Sequence, residues 1–295
     1  MKVVIHQGFH KTGTTTLQRT LSRNQNVLKD RVNVLLPRDL KDAGFSARRY
    51  AVAPKDRTLQ NFGKKLRSAL KPFEGCTDKP LLISNEEFSG LIPGRKGMWS
   101  YSQTHVLAQA ILDQICQLAG EQVQTTLLFT TRDAAEWIRS TYWQNLRSNR
   151  ILEDLPEYSK ALQHGANLDA VVQRVQETVS SRADVLSINV SDIDDRLLPL
   201  TRALSILNVR SDDLVAIEDQ NVQPNGSAEY FLELNRSGMT DEEVAAAKRA
   251  HLDDLKATKT NSPKRNGHRE RPDNHSPKGM KQCCGIFNVA RLPRN

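Results

Sequence analysis

Residues 3–18 read Val-Val-Ile-His-Gln-Gly-Phe-His-Lys-Thr-Gly-Thr-Thr-Thr-Leu-Gln, an order that predicts a β-strand, a loop and the first turns of a helix. The loop contains Gly8 and Gly13, and glycine allows positive φ angles and a close approach of the backbone to a ligand. The first N–H groups of the following helix have no partner within the helix, and the helix dipole favours negative charge there. We therefore predict an anion-binding loop, to which side-chain donors are added by Lys11, Thr12, Thr14, Thr15 and Thr16.

The position of the lysine separates two kinds of anion-binding loop. Nucleotide triphosphatases carry the pattern G-x-x-x-x-G-K-[ST], in which the lysine follows the second glycine and the hydroxyl ligates magnesium. Gly8 and Gly13 have that separation, but Thr14 stands where the lysine would be, and Lys11 precedes the second glycine. The chain therefore departs from the triphosphatase pattern. A glycine- and threonine-rich turn without a ligand is the alternative interpretation.

A second candidate anion site follows a predicted strand over residues 123–130. Arg132 comes directly after the strand, and Ser140 lies eight residues later in a segment with helical spacing. An arginine can donate two parallel N–H bonds to a phosphate, and a serine hydroxyl can donate a third. Without the first loop, these residues would be a surface ion-pair partner and an ordinary helix residue. Asp133 could bind magnesium at this strand end, but it also suits the start of the next helix.

Two acids follow a third predicted strand, over residues 80–84. Glu86 and Glu87 would lie at the carboxyl edge of the sheet, where open α/β sheets bind ligands. The alternative is a helix-capping role, which Glu87 suits.

Together these motifs resemble those of sulfotransferases. Residues 11–15 are similar to the K-[ST]-G-T-T run of the 5′-phosphosulfate loop, which binds 3′-phosphoadenosine 5′-phosphosulfate (PAPS). The resemblance implies a transferase that moves a sulfuryl group from PAPS to a hydroxyl or amine and needs no metal. It also implies that Arg132 and Ser140 hold the 3′-phosphate, so the residues expected to bind PAPS are Lys11, Thr12, Gly13, Thr14, Thr15, Thr16, Arg132 and Ser140.

The same resemblance implies the catalytic roles. Lys11 would neutralise charge on the departing bridging oxygen, and Glu86, with Glu87 as second candidate, would take the acceptor proton. Cytosolic enzymes for small molecules usually carry a histidine at the base position and a tryptophan after the two threonines, where this chain has Thr16 and then Leu17-Gln18. The chain looks more like carbohydrate sulfotransferases and their bacterial relatives, so the expected acceptor is a glycan. The resemblance extends from residue 2 to about residue 240.

The pattern of segments predicts a single α/β domain with a central parallel sheet flanked by helices. Strands are predicted at 2–6, 80–84, 123–130 and 184–190, and helices at 14–23, 57–70, 102–119, 134–148, 167–181 and 195–207. In this arrangement Lys11, Glu86 and Arg132 share one edge of the sheet. The long mixed segments 89–103 and 145–165 are predicted acceptor-binding walls or lids.

Charge is concentrated at the end of the chain. The formal net charge is +8, and residues 259–295 hold nine Lys and Arg against Glu270 and Asp273, a net charge of +7. We therefore predict a nearly neutral domain over 1–258 and a basic, disordered tail over 259–295. The domain's charge gives no argument for a nucleic-acid partner, and the tail could make a weak contact with an anionic surface.

Composition also bears on location. Four cysteines without metal-ligand spacing favour reduced thiols, and no run approaches the length of a membrane span, so we expect a cytoplasmic protein. Two rival functions stay open. One is a P-loop kinase or NTPase that uses Asp133 and magnesium, and the other is a non-catalytic anion-binding protein.

Overall fold

A computed structural model describes residues 1–76, 78–217 and 226–260. Within them lies one parallel five-stranded sheet of order β2-β3-β1-β4-β5. The strands are β1 (Lys2–His6), β2 (Asn33–Leu35), β3 (Leu81–Ser84), β4 (Gln124–Thr131) and β5 (Asp184–Asn189). Because β1 lies in the centre, the loop that follows it opens between the carboxyl ends of β3 and β4.

The helices cover both faces of this sheet. Those in the described residues are α1 (Thr14–Arg23), α2 (Gln25–Leu28), α3 (Lys41–Val52), α4 (Asp56–Leu70), α5 (Thr104–Ala119), α6 (Ala134–Ser148), α7 (Leu155–Leu162), α8 (Leu168–Val179), α9 (Leu198–Ile206), α10 (Ser227–Arg236) and α11 (Asp241–Thr260). Short 3-10 helices occupy Lys71–Phe73, Glu86–Ser89 and Gln163–Ala166.

Alternation along β1 divides the core in two. Val3 and Ile5 point to one face, where they join the buried residues of α3, α4, α5, α6 and α8. Val4 points to the other face and packs with α1, α2 and α9. Both faces of the strand are buried, which explains why β1 is a continuous apolar run.

The predicted fold class is confirmed, and the four predicted strands are present. The sequence patterns do not predict β2, which has three residues at the edge of the sheet and too little length to show a period. They also predict neither α3 nor α7, the second of which lies in the long mixed segment 145–165. That helix has a readable start, since Asp154 and Glu157 form a capping box around Pro156.

The end of the chain forms a separate unit. The chain divides into two units, Met1–Asp253 and Asp254–Asn295, and the second is described only as far as residue 260. The predicted domain boundary at residue 258 lies within α11, and the predicted tail from residue 261 onward lies outside the described residues. No helix of the described part is long and apolar enough to cross a membrane.

The two predicted acceptor walls contact each other. The rings of Trp99 and Tyr158 pack edge to face with centroids 6.0 Å apart. Gly165 lies so close to this region that an added Cβ would overlap the carbonyl oxygen of Trp99.

We expect Gly165→Ala to lower the free energy of unfolding by about 1–3 kcal/mol, because the added methyl meets backbone rather than a side chain that can move. Gly238→Ala is the matched control, since an added Cβ there meets nothing within 4 Å. Urea denaturation of both variants measures the difference. Equal stabilities of the two variants would contradict this close packing.

Candidate active site

The loop between β1 and α1 has a left-handed backbone at three points. We call residues 7–13 the anion loop. Gly8, Lys11 and Gly13 have φ angles of 43°, 71° and 84°. A Cβ at Gly8 would lie 2.9 Å from Cγ2 of Thr14, so glycine is required there for space as well as for φ. Because a lysine rarely adopts positive φ, surrounding contacts must hold Lys11 in place.

A chain of buried hydrogen bonds fixes the anion loop to the sheet. The Thr12 hydroxyl donates to the carbonyl oxygen of Phe9 at 2.7 Å and lies 2.8 Å from the Thr130 hydroxyl. Thr130 Oγ1 lies 3.3 Å from Nε2 of His6, whose Nδ1 lies 2.9 Å from Ser84 Oγ. Since Thr12 uses its proton on Phe9, Thr130 donates to Thr12, His6 donates through Nε2, and Ser84 donates to Nδ1. This chain of hydrogen bonds requires the imidazole of His6 to be neutral. Burial favours the neutral form, because it lowers the pKa of His6 to about 4.

Aromatic residues hold the other side of the anion loop. The indole N–H of Trp137 donates to the carbonyl oxygen of His10 at 2.8 Å, and the buried ring of Phe9 packs against Tyr101. The backbone N–H of His10 donates to Tyr101 Oη, which lies 2.9 Å from His10 Nδ1. The pKa of His10 is lowered to about 3 by burial and by the charges of Arg95, Arg48 and Lys11. Tyr101 therefore donates to Nδ1, and the proton of the neutral ring is on Nε2.

The start of α1 is open to a ligand. Gly13 is its N-cap and provides no side-chain bond, and the N–H groups of Gly13, Thr14 and Thr15 make no hydrogen bond to the described residues. The threonines divide into two groups. Thr12 and Thr14 are buried, whereas Thr15 is exposed and Thr16 is half-buried. The hydroxyl of Thr12 is fully used within the loop, so Thr12 can offer a ligand only its backbone.

Arg132 follows β4, and its orientation is fixed from α6. Its Nε donates to Glu136 at 3.0 Å, and Glu136 also accepts from Ser191 at 3.1 Å. The terminal nitrogens of Arg132 make no hydrogen bond within the described part of the chain. Ser140 is one helical turn beyond Glu136 on the same face, and its hydroxyl likewise has no partner among the described residues.

The positive charge of Arg132 acts on the Lys11 amine. Burial lowers the pKa of the Lys11 amine, and the charges of Arg147 and Arg132 lower it further. Arg147 lies on the face of α6 that carries Glu136 and Ser140. Lys11 therefore lies among cations, and the region has a positive potential that favours an anion.

The two candidate bases have different surroundings. Oε2 of Glu86 accepts from Gln18, on α1, at 2.7 Å. Glu87 pairs with Arg48 at 3.2 Å and accepts no bond from α1, and burial raises its pKa against the opposing effect of Arg48. Its carboxylate lies against Gly44 of α3. Glu86 is thus the acid connected to the helix that starts at the anion loop.

Asp133 is at the start of α6, as the sequence analysis allowed, although its side chain makes no capping hydrogen bond. Its Oδ1 accepts from Asn189 at 2.9 Å, and its side chain is exposed. No group of three or more His, Cys, Asp or Glu that could hold a metal occurs in the described residues. A surface cavity between α4 and α5 is lined by Gly63, Arg67 and Gln114 among others. None of the candidate site residues lines it.

Several residues around the site were missed or left without a role by the sequence analysis. They are Gln18, Arg48, Asn145, Arg147 and Tyr158, together with the contacts of His10, Arg95 and Tyr101. Their partners lie 50 or more residues away in most cases, so no local spacing reports them. The face of α6 was the one available signal, because Glu136, Ser140 and Arg147 follow helical spacing from Arg132.

Comparison with known proteins gives a likeness to solved structures. Neither models of protein families nor curated protein sequences produce a match. The chain is similar to the crystal structure of a sulfotransferase from Alicyclobacillus acidocaldarius, with 15% sequence identity and a TM-score of 0.44, over 85% of this chain and 94% of that chain.

We expect the stability of the protein to fall as the pH is lowered from 7 to 5. A histidine has a pKa near 6.5 in the unfolded chain, whereas His6 in the folded protein has a pKa of about 4. Between pH 7 and pH 5 the unfolded state therefore binds more protons than the folded state, and this lowers the free energy of unfolding. The contribution of His6 is about 2 kcal/mol between these two pH values. Urea denaturation measures it, and NMR of the imidazole should show a neutral ring at pH 5.

His6→Gln should reduce this pH dependence, whereas His164→Gln, at an exposed position, should leave it unchanged. A pH dependence that persists undiminished in His6→Gln would show that His6 is not the group responsible.

Proposed function

We propose that the protein is a sulfotransferase that moves a sulfuryl group from PAPS to a hydroxyl or amine of an acceptor, with a glycan as the acceptor class. The observation that carries the proposal is the meeting of three features at one sheet edge. They are the uncapped start of α1, the half-buried Lys11 and the oriented Arg132. This set supplies donors for more than one anionic group.

The residues fit a nucleotide that carries separate anionic groups. The N–H groups of Gly13, Thr14 and Thr15 would bind a group at the start of α1, with the Lys11 amine beside it. The terminal nitrogens of Arg132 and the Ser140 hydroxyl, which have no other partner in the described chain, would bind a second. PAPS, when bound, would supply the sulfuryl group and a bisphosphate leaving group.

Lys11 is proposed to stabilise negative charge as the donor departs. Its lowered pKa reflects burial and neighbouring arginines, so an anion close to it relieves an existing repulsion. A partly buried charge held in position before the reaction acts more strongly than one in water. The strained backbone of Lys11 is consistent with a position selected for function.

Glu86 is proposed to take the acceptor proton. Gln18 holds one of its carboxylate oxygens and leaves the other available. Glu87 is the weaker candidate because its carboxylate is paired with Arg48 and packed against α3. A base on the loop after β3 and a lysine on the loop after β1 belong to neighbouring strands, as a transfer between two bound molecules requires.

The features of this loop argue against a kinase or NTPase. Thr14 stands where those enzymes place the phosphate-binding lysine, and it is buried against Gly8. Asp133, the candidate magnesium ligand, is held by Asn189 at the start of α6.

We expect 3′,5′-adenosine bisphosphate to bind at least tenfold more tightly than 5′-AMP, a difference of about 1.4 kcal/mol, because Arg132 and Ser140 would contact the 3′-phosphate. Isothermal titration calorimetry measures both affinities. Arg132→Ala should remove the preference, and Arg139→Ala, at an exposed position on α6, should keep it.

Equal affinities of the two nucleotides in the unmodified protein would overturn the sulfotransferase proposal. Tighter binding of ATP with magnesium than of the bisphosphate would favour the kinase or NTPase interpretation.

We expect Lys11→Ala and Glu86→Gln each to lower turnover by roughly 10² or more, because each removes a group that acts in the transition state. Turnover is measured with radiolabelled PAPS and a panel of hydroxyl-bearing glycans. Glu87→Gln is the matched control and should reduce turnover far less. If Glu87→Gln is the more damaging change, the base is Glu87, and near-normal turnover of Lys11→Ala would assign Lys11 a structural role.

A further inference from the structure

We propose that Arg95 binds an oxyanion carried by the acceptor, so that the acceptor is a molecule with both a reacting hydroxyl or amine and a carboxylate, sulfate or phosphate group. This inference rests on the proposed sulfotransferase function and specifies the substrate of the same site. It depends on how the loop that carries Arg95 is built.

Arg95 is oriented by a buried amide. Its Nε donates to Oδ1 of Asn145 at 2.6 Å. The amide nitrogen of Asn145 donates to the carbonyl oxygen of Pro93 at 2.8 Å and to Tyr158 Oη at 2.7 Å. Asn145 is fully buried and Tyr158 is 1% exposed, so the anchor is rigid.

Gly94 allows the loop to approach this anchor. Its φ angle is 85°, and an added Cβ would overlap Tyr158 Oη and lie 2.5 Å from Asn145 Nδ2. Any other side chain would push Arg95 away from Asn145. The position of Arg95 is therefore specified by three elements, namely its own loop, α6 and α7.

The binding end of Arg95 is left without a partner. Its two terminal nitrogens make no hydrogen bond or ion pair within residues 1–76, 78–217 and 226–260. The charged side chains that influence it most are Arg48 and Arg147, and both are cations. Arg48 is balanced by Glu87, but Arg95 has no such balance. A guanidinium held at Nε presents its other N–H groups as a fork that matches a carboxylate, sulfate or phosphate.

The location of Arg95 favours the acceptor rather than the donor. Glu136 orients Arg132 and Asn145 orients Arg95, and these two residues of α6 are nine positions apart, about 13 Å along the helix. Tyr101, whose hydroxyl lies 2.9 Å from His10 Nδ1 at the anion loop, is electrostatically influenced by both Arg95 and Glu86, so Arg95 and the proposed base act on the same residue of the site. An acceptor whose hydroxyl reaches Glu86 would therefore have its anionic group near Arg95.

The test compares matched sugars on the protein saturated with 3′,5′-adenosine bisphosphate, so that the donor site is filled. Glucuronate, glucose 6-sulfate and glucose 6-phosphate are each compared with glucose by saturation-transfer NMR titration. We expect at least one anionic sugar to bind tenfold or more tightly than glucose, and the comparison among the three identifies which oxyanion is preferred.

Variants assign the preference to Arg95. Arg95→Gln should reduce it at least fivefold, and Arg95→Lys should reduce it in part because the charge remains but the fork is lost. Lys96→Gln removes a neighbouring exposed charge and should change the preference less than twofold. Bisphosphate affinity should stay unchanged in all three variants, which also verifies that they fold.

Three results would overturn the inference while the proposed function stands. They are equal binding of anionic and neutral sugars, a preference that survives in Arg95→Gln and Arg95→Lys, and a tenfold loss of bisphosphate affinity in Arg95→Gln, which would assign Arg95 to the donor. Failure of the unmodified protein to bind the bisphosphate is a different result, because it removes the proposed function and this inference with it.

Discussion

The site depends on the buried hydrogen-bond chain from Ser84 through His6 and Thr130 to Thr12. It joins β3, β1 and β4 at their carboxyl ends and continues into the anion loop. Each hydroxyl and the neutral imidazole has one proton to give, and the chain uses these protons in one direction that ends at the carbonyl oxygen of Phe9. Because these hydrogen bonds fix the anion loop to the sheet, Lys11 can keep a backbone conformation that is unfavourable for lysine.

Two residues of helix α6 each orient an arginine in the same way. Arg132 and Arg95 come from different loops, but each is bound at Nε by a residue of α6, Glu136 in one case and Asn145 in the other. Binding at Nε fixes the plane of the guanidinium and leaves its terminal nitrogens available. Burial lowers the pKa of Lys11, and the charges of Arg147 and Arg132 lower it further, so the cations beside the anion loop oppose one another. Such an arrangement is typical of a site that an anionic ligand completes.

Sequence patterns predicted the parts of this structure that are local. The strand and helix on either side of the anion loop have strong periods, and the strand-end positions of Lys11, Glu86 and Arg132 follow from parallel topology. The three-residue β2 is too short to show a period, and α7 lies in a long segment of mixed composition that predicted no single element. Contacts such as that of His10 with Tyr101 join residues 91 positions apart, so only the tertiary structure reveals them.

The threonine-rich motif combines two tasks that its sequence does not separate. Thr12 and Thr14 face inward, where one completes the hydrogen-bond chain and the other packs against Gly8, while Thr15 and Thr16 lie at the more accessible first turn of α1. The motif thus specifies the shape of an anion loop more than the identity of its ligand. The charges that would distinguish one anionic ligand from another lie outside the motif, on the loops after β3 and β4 and on α6, and these are the groups in which proteins with similar loops can differ.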